Sequence, residues 1–287
     1  MRSLVFVILQ YLLPRYWLTA AVYLIARIKN APVKNFLITR FVHWYGVDTD
    51  EIKLELPGDF ATFNDFFIRE LQDGARAIDA ATQSIVSPVD GTVSEAGALR
   101  ASRILQAKGL DYSVRDLLAT DIEEADAFAD GQFATIYLAP YNYHRVHAPL
   151  DGELVAARYV PGDLFSVNGA TASRVRGLFR RNERLILHFN TAYGSAAVVL
   201  VGALNVGSIS TPWSGEIRPR KTGVVEIINL AGHETRLDKG DLLGWFNMGS
   251  TVILLMPAGT SAWQPNMQAG NRLRMGEAIA TVSDRPA

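Results

Sequence analysis

The stretch FNMGSTVILLM, residues 246–256, contains the clearest strand in the chain. Residues 250–256 form an apolar, β-branched run of the kind found in buried strands. Glycine weakens a strand, so Gly249 marks a bulge, a bend or a position where another group approaches the backbone closely. A bulge is the plainest of these interpretations, but it gives no reason for the serine that follows at position 250.

Four further runs have the same apolar, β-branched character and are separated by Gly, Pro and Asn. They are QFATIYL (132–138), RLILHF (184–189), AAVVLVGAL (196–204) and VVEIINL (224–230). Two stretches predict helices instead. TFNDFFIREL (62–71) predicts a short helix capped by Thr62 or Asn64, and residues 112–127 predict a longer one. We therefore predict an α+β fold in which a mainly antiparallel β body spans residues 60–287.

A weak internal repeat supports the β assignment. Each copy has a proline near its start, an Asp or Ser before a glycine, and an aliphatic or β-branched residue at its end. The copies are SPVDGTV (87–93), APLDGEL (148–154) and TPWSGEI (211–217). The pattern predicts a tight turn followed by entry into a strand, as expected for duplicated small-sheet units.

The composition limits the chemistry that the chain can carry. Its 287 residues, 49% of them hydrophobic, suffice for one large or two small domains with a buried core. The absence of cysteine excludes disulfides, thiolate zinc ligands and thiol nucleophiles. No glycine-rich phosphate loop or dinucleotide fingerprint occurs. Any catalysis must therefore use other side chains.

The first 59 residues differ from the rest of the chain. Residues 1–47 carry six Lys and Arg side chains and no acidic side chain. The following 240 residues carry 22 basic and 29 acidic side chains, and this negative balance argues against a nucleic-acid partner. The uncharged stretches 3–14 and 16–26 have 12 and 11 residues, fewer than the roughly 20 that span a bilayer. We predict that residues 1–59 form helices that lie in the interface of an anionic membrane. A secretory signal peptide and a buried helical hairpin are the alternatives.

Two of the five histidines lie three residues apart in YNYHRVHAPLDG, residues 141–152. In an extended segment His144 and His147 would point to opposite faces, whereas a turn would bring both to one pocket. They can be interpreted as two hydrogen-bonded histidines at a strand end or as a pair of zinc ligands, although two histidines without further ligands are weak evidence for zinc.

Asp90 lies in the first repeat, where an Asp-Gly pair by itself indicates only a turn. Together, however, an Asp, a His and a Ser on separate β elements are the components of an activated nucleophile. The carbonyl nearest to the Ser250 hydroxyl is that of Gly249. A glycine there lacks the Cβ that would block a five-membered ring, and it tolerates strained backbone angles. Attack on that carbonyl would give an ester, and elimination followed by hydrolysis would leave a pyruvoyl group and ammonia.

Five separated segments resemble those of the phosphatidylserine decarboxylases, in the same order along the chain. FNMGST resembles the Leu-Gly-Ser-Thr self-cleavage site of that family, with Met248 in place of the leucine. The other segments are FNDFFIREL, SPVDG, YNYHRVHAP and GDLFSVN. Methionine and leucine have similar volumes, so the exchange leaves the site intact.

The resemblance implies that Asp90, His147 and Ser250 form a self-cleavage triad. The chain would be cut between Gly249 and Ser250 into a large chain, 1–249, and a small chain, 250–287. The small chain would begin with a pyruvoyl cofactor, and no metal would be needed. The family also attaches to membranes through N-terminal helices, which implies a peripheral location on the cytoplasmic face of the cell membrane. A homodimer is compatible with the resemblance.

In this family the pyruvoyl group forms a Schiff base with the serine headgroup and turns phosphatidylserine into phosphatidylethanolamine. We predict that His144 donates the proton after decarboxylation, and that Tyr141 and Ser166 hold the headgroup or phosphate. One alternative is a zinc-dependent hydrolase on a duplicated β scaffold, with His144 or His147 and Asp90 as ligands. Another is a lipid-binding or scaffold protein without catalytic activity.

Overall fold

The structure, a computed structural model, describes residues 2–120, 125–257 and 262–282. Its helices are α1 (Arg2–Leu12), α2 (Arg15–Ala26), α3 (Ala31–Tyr45), α4 (Phe63–Phe67), α5 (Val114–Leu118), α6 (Gly169–Ala172) and α7 (Leu178–Arg181). Its strands are β1 (Ser84–Val86), β2 (Gly91–Ala98), β3 (Arg103–Ala107), β4 (Leu110–Ser113), β5 (Gln132–Leu138), β6 (Arg145–His147), β7 (Gly152–Val160), β8 (Arg184–Thr191), β9 (Gly194–Val201), β10 (Ile209–Thr211), β11 (Gly215–Ile217), β12 (Glu226–Ile227), β13 (Arg236–Leu237), β14 (Leu242–Phe246), β15 (Ser250–Met256), β16 (Ala262–Trp263), β17 (Arg272–Leu273) and β18 (Ala278–Thr281).

The predicted α+β class is confirmed. The largest sheet has the order β12-β7-β8-β9-β15-β5-β2-β17, with β13 also paired to β7, and every ladder between described strands is antiparallel. The strand β15 runs between β9 and β5 and is buried along its whole length. This central position explains its composition, because a strand that is covered on both faces has no place for alternating polar residues.

A second sheet has the order β11-β10-β14-β6. Its strand β14 ends at Phe246, and the chain then enters β15 of the large sheet at Ser250. The crossing from one sheet to the other therefore occupies residues 247–249. This crossing is where the sequence places Gly249.

The three repeats behave as predicted, because each glycine begins a strand: Gly91 begins β2, Gly152 begins β7 and Gly215 begins β11. At Gly91 the reason is steric. A Cβ there would lie 2.5 Å from the Ile136 side chain and 2.8 Å from the backbone oxygen of Tyr137, on the neighbouring strand β5. Only glycine allows β2 to approach β5 this closely.

Two predicted elements are wrong in extent. The helix predicted over 112–127 is interrupted: Tyr112 lies on β4, and the Ser113 side chain caps α5, which ends at Leu118. Ala125 and Asp126 are helical again, and residues 121–124 lie outside the described residues. The strand predicted over 224–230 is reduced to β12, since Val224 is 78% exposed and lacks the burial that a strand of this composition needs. The short helix α4 is confirmed, and Thr62 is its N-cap.

The helices α1 and α2 make polar contacts with the β body and turn several large apolar side chains outward. Gln10 of α1 is fully buried and donates to the Thr171 hydroxyl at 3.0 Å, and Arg15 pairs with Asp163 at 3.0 Å. Leu12 and Trp17, in contrast, are 76% and 80% exposed. The segment is therefore not a buried hairpin.

No single described helix is long and apolar enough to span a membrane. The segments Leu4–Leu12 and Arg15–Ala26 reach the required length and apolarity when they are taken as a pair, but the chain bends by 90° between them. Ala26 and Ile38 share a hydrophobic cluster with Phe63, Phe66 and Phe67 of α4. The division into domains at residue 59 stays a prediction.

Candidate active site

The crossing between the two sheets is held by Asn247. Its side-chain nitrogen donates to the Ser208 hydroxyl at 2.8 Å, and its side-chain oxygen accepts from the Asn64 amide at 3.0 Å. Three residues further on, Ser250 is the first residue of β15 and pairs with Leu138, the last residue of β5. The Gly249–Ser250 peptide therefore lies at the end of two central strands, in a fixed position.

Ser250 is fully buried, and its Oγ has no hydrogen-bond partner among the described residues. A buried hydroxyl without a partner costs free energy, about 1–3 kcal/mol, and requires a functional or structural explanation. A nucleophile that must remain free to attack a neighbouring carbonyl is one such explanation.

Gly249 has no positive φ angle, so the folded backbone does not use the conformational freedom of glycine at this position. A Cβ at this position would lie 3.8 Å from both His144 Nε2 and the Leu138 carbonyl oxygen, which are ordinary contact distances. The folded chain thus has room for a methyl group. We therefore expect glycine to matter during attack on the carbonyl and not in the folded state.

His144 is the imidazole closest to this peptide. It is fully buried, its Nδ1–H donates to the Asn142 carbonyl at 2.8 Å, and its Nε2 is buried without a partner among the described residues. Because the carbonyl can only accept, Nδ1 carries the proton and Nε2 presents a lone pair. Burial, with a smaller contribution from the positive charge of Arg69, lowers the pKa of His144 to about 3. His144 is therefore a neutral base at physiological pH.

His147 has the same tautomer but no free nitrogen. Its Nδ1–H donates to the Gly240 carbonyl at 2.8 Å, and its Nε2 accepts from the Tyr143 hydroxyl at 3.1 Å. Burial lowers the pKa of His147, while the negative charge of Asp90 acts in the opposite direction. To accept a proton from a serine, His147 must first lose its bond to Tyr143.

Asp90 is buried and held by two groups. Arg76 donates to both carboxylate oxygens, at 2.9 and 2.6 Å, and the Met275 amide donates to Oδ1 at 2.9 Å. Within the described part of the chain, no hydrogen bond joins Asp90 to His147 or His147 to Ser250. The negative charge of Asp90 favours the protonated form of His147, and the hydrogen-bonded triad stays a prediction.

Tyr141 and Ser166, the predicted headgroup ligands, lie in different surroundings. The Tyr141 carbonyl accepts from Arg69 Nη2 at 3.0 Å beside a cavity of about 260 Å³. The Ser166 amide donates to Gln10 of α1 at 2.7 Å. No described hydrogen bond links Ser166 to the Gly249–Ser250 peptide.

Three site residues were missed in the sequence: Asn142, which fixes the tautomer of His144, Asn247, which holds the crossing, and Arg76, which holds Asp90. Asn142 and Asn247 do lie inside two of the segments that carry the family resemblance. Arg76 has no sequence signal, because its partner is defined only by the fold.

Comparison with known proteins confirms the resemblance. The family model described as phosphatidylserine decarboxylase matches residues 63–281, and one described as PSD matches residues 5–46. The phosphatidylserine decarboxylase proenzyme of Alcanivorax borkumensis is 46% identical over 276 residues, covering 96% of this chain and 95% of the relative. Those of Psychrobacter arcticus and Chromobacterium violaceum are 47% and 46% identical and cover 97% and 98% of this chain and 99% and 100% of the relatives.

The zinc hydrolase considered as an alternative is not supported. The relatives belong to a different class, and residues 2–120, 125–257 and 262–282 contain no group of three or more His, Asp or Glu side chains placed to hold a metal ion. The match spans more than half of the chain and includes the Gly249–Ser250 peptide. The chain therefore belongs to the phosphatidylserine decarboxylase family.

Proposed function

We propose that the chain decarboxylates phosphatidylserine to phosphatidylethanolamine with a pyruvoyl group that it makes from its own Ser250. One observation carries the proposal. At the Gly249–Ser250 peptide, a fully buried hydroxyl and a fully buried imidazole nitrogen both lack partners among the described residues. This pair of free polar atoms fits a site in which Ser250 is to be converted and a base must act beside the product.

In the cleavage step, Ser250 Oγ attacks the Gly249 carbonyl carbon while a neutral imidazole accepts the hydroxyl proton. The proton then passes to the Ser250 nitrogen as the C–N bond of the peptide breaks, which leaves an ester and a free amine. Loss of the Ser250 α proton expels the Gly249 carboxylate and leaves dehydroalanine, and hydrolysis of its imine tautomer gives the pyruvoyl group and ammonia. We propose His147 as the base, with Asp90 stabilising its protonated form through charge. The free Nε2 of His144 beside Gly249 makes His144 the second candidate.

In the decarboxylation step, a pyruvoyl ketone supplies the acceptor for the electrons released with carbon dioxide. His144 enters this step with no proton on Nε2, because its Nδ1 carries the proton of the neutral ring and its pKa is about 3. It first accepts a proton at Nε2 from the amine of the lipid headgroup and later returns that proton to the α carbon. His144 can thus act as the predicted proton donor only after it has acted as an acceptor.

The N-terminal helices indicate how the protein reaches its lipid substrate. We propose that α1, α2 and α3 bind the cytoplasmic face of the cell membrane peripherally, since Leu12, Trp17 and Trp44 are 72–80% exposed on a segment rich in basic residues. A homodimer stays a prediction.

The function is tested with vesicles of phosphatidylserine labelled at the serine carboxyl. The unsubstituted chain should release labelled carbon dioxide and leave an equal amount of phosphatidylethanolamine. Ser250→Ala, which lacks only the hydroxyl, should release none above background. Equal release by both proteins would overturn the proposal.

A further inference from the structure

Arg69 is a buried cation that the proposed chemistry does not use. It is 4% exposed, and its Nη2 donates to the carbonyls of Tyr141 at 3.0 Å and Asn142 at 3.4 Å. Among the described residues, its Nε and Nη1 have no hydrogen-bond partner, and no carboxylate lies within ion-pair distance of it. A buried charge without a counterion is costly, so a bound anion would explain its position.

Arg69 shares its cavity with a second unpaired arginine. The cavity of about 260 Å³ is lined by Arg69, Arg76, Arg272 and Arg274, together with Tyr141. Arg76 and Arg274 each pair with a carboxylate. Arg272 is exposed on β17, has no ion pair among the described residues, and lies 5.9 Å from the centre of the Tyr141 ring. Two free guanidinium groups therefore flank Tyr141.

The acidic side chains of the cavity do not cancel these two charges. Three carboxylates, Asp48, Glu51 and Asp90, line it against four arginines. Glu51 and Asp90 are the partners of the two paired arginines. Only the charge of Asp48 then remains to balance the charges of Arg69 and Arg272, so the cavity has a net positive charge.

The cavity lies close to the cleavage peptide. The Asn142 carbonyl accepts from both Arg69 Nη2 and His144 Nδ1, and His144 Nε2 lies beside Gly249. One backbone carbonyl and one imidazole ring thus separate Arg69 from the position at which the pyruvoyl group would form.

We propose that Arg69 and Arg272 form an anion-binding site, bordered by Tyr141, for the phosphodiester of the lipid headgroup. The inference rests on the proposed function. Guanidinium groups bind phosphate oxygens through paired charge-assisted hydrogen bonds. The headgroup carboxylate is the poorer candidate, because it leaves as carbon dioxide, and binding its charge would stabilise the substrate and raise the barrier to decarboxylation. The phosphodiester does not react, so binding it does not raise that barrier.

The test uses full-length Ser250→Ala, so that binding does not depend on self-cleavage. Calorimetry measures the affinity for glycerophosphoserine, inorganic phosphate and L-serine. Glycerophosphoserine should bind, inorganic phosphate should compete with it more weakly, and L-serine should not compete. Adding Arg272→Gln should weaken glycerophosphoserine binding by about tenfold or more, since one charge-assisted hydrogen bond is lost.

Arg274→Gln is the matched control. It removes another exposed arginine from the same cavity, but one whose charge is already paired with Glu51. Its effect on the affinity should be less than about threefold, because the charge it removes is already neutralised. Arg69→Gln should weaken binding more than Arg272→Gln does; if it does not fold, Arg272→Gln decides alone.

The site is refuted if Arg272→Gln binds glycerophosphoserine as tightly as its parent, or if Arg274→Gln costs as much as Arg272→Gln. Competition by L-serine would assign the cavity to the carboxylate, and tighter binding of inorganic phosphate than of glycerophosphoserine would make it a free-phosphate site. Either result overturns the proposal. Carbon dioxide release by the chain with Ser250 intact is measured separately, so failure of the anion site and failure of the proposed function give different results.

Discussion

The burial of His144 predicts a specific loss of stability in acid. An unfolded chain exposes this imidazole, whose pKa then is about 6.5, while in the folded chain the pKa is about 3. Between these two values the unfolded state binds more protons than the folded state. The free energy of unfolding therefore falls as pH falls from about 6.5, and the loss levels off near pH 3.

The size of the effect follows from the shift. Each pH unit inside this window costs about 1.4 kcal/mol, so lowering the pH from 7.5 to 5.0 removes about 2 kcal/mol through His144 alone. Other groups titrate in the same range. Glu183, for example, is fully buried, which raises its pKa to about 8, and this acts in the opposite direction. The contribution of His144 must therefore be isolated by substitution.

The assay compares Ser250→Ala with Ser250→Ala/His144→Gln, both uncleaved, in urea unfolding at pH 7.5 and 5.0. The parent should lose about 2 kcal/mol more stability between the two pH values than the variant with glutamine, which cannot titrate. Equal losses in the two proteins would show that His144 is not held neutral by burial, and the assignment of Nε2 as a free base would fail.

Three further predictions concern the site and the membrane. Gly249→Ala should fold with a stability within about 1 kcal/mol of the parent, because its Cβ meets only ordinary contacts. Its self-cleavage, followed on a time-course gel, should nevertheless be slower by about tenfold or more; cleavage at the normal rate would show that glycine is not needed at this position. His147→Ala should stay whole, whereas His144→Ala should be cleaved but lose about 100- to 10,000-fold in carbon dioxide release; a block of cleavage in both variants would refute this division of roles between the two histidines. Trp17→Ser should lower binding to anionic vesicles about tenfold in a flotation assay, and Val155→Ser, which removes an apolar side chain 47% exposed on β7, should not.

The elements that the sequence predicts well are those whose composition reflects burial. The strands β5 and β15 have the predicted bounds, since both are central and their apolar, β-branched residues are covered. The run at 224–230 has a similar composition, but its valines lie on the surface, and only Glu226–Ile227 pairs with a neighbour. Local composition cannot show which runs obtain partners, because pairing depends on residues far away in the chain.

The same limit applies to the site. Ser250, His144, His147 and Asp90 could be selected because their residue types carry the chemistry. Their partners could not. The carboxylate of Asp90 is held by Arg76, and the free nitrogen of His144 is set by a backbone carbonyl, so both contacts are visible only in the folded chain.

The mass of the purified chain under denaturing conditions tests self-cleavage most directly. The account predicts two polypeptides that divide between Gly249 and Ser250, the smaller one of 38 residues beginning with a pyruvoyl group in place of Ser250, while Ser250→Ala remains whole. A single polypeptide of 31.5 kDa in a preparation that decarboxylates phosphatidylserine would contradict it.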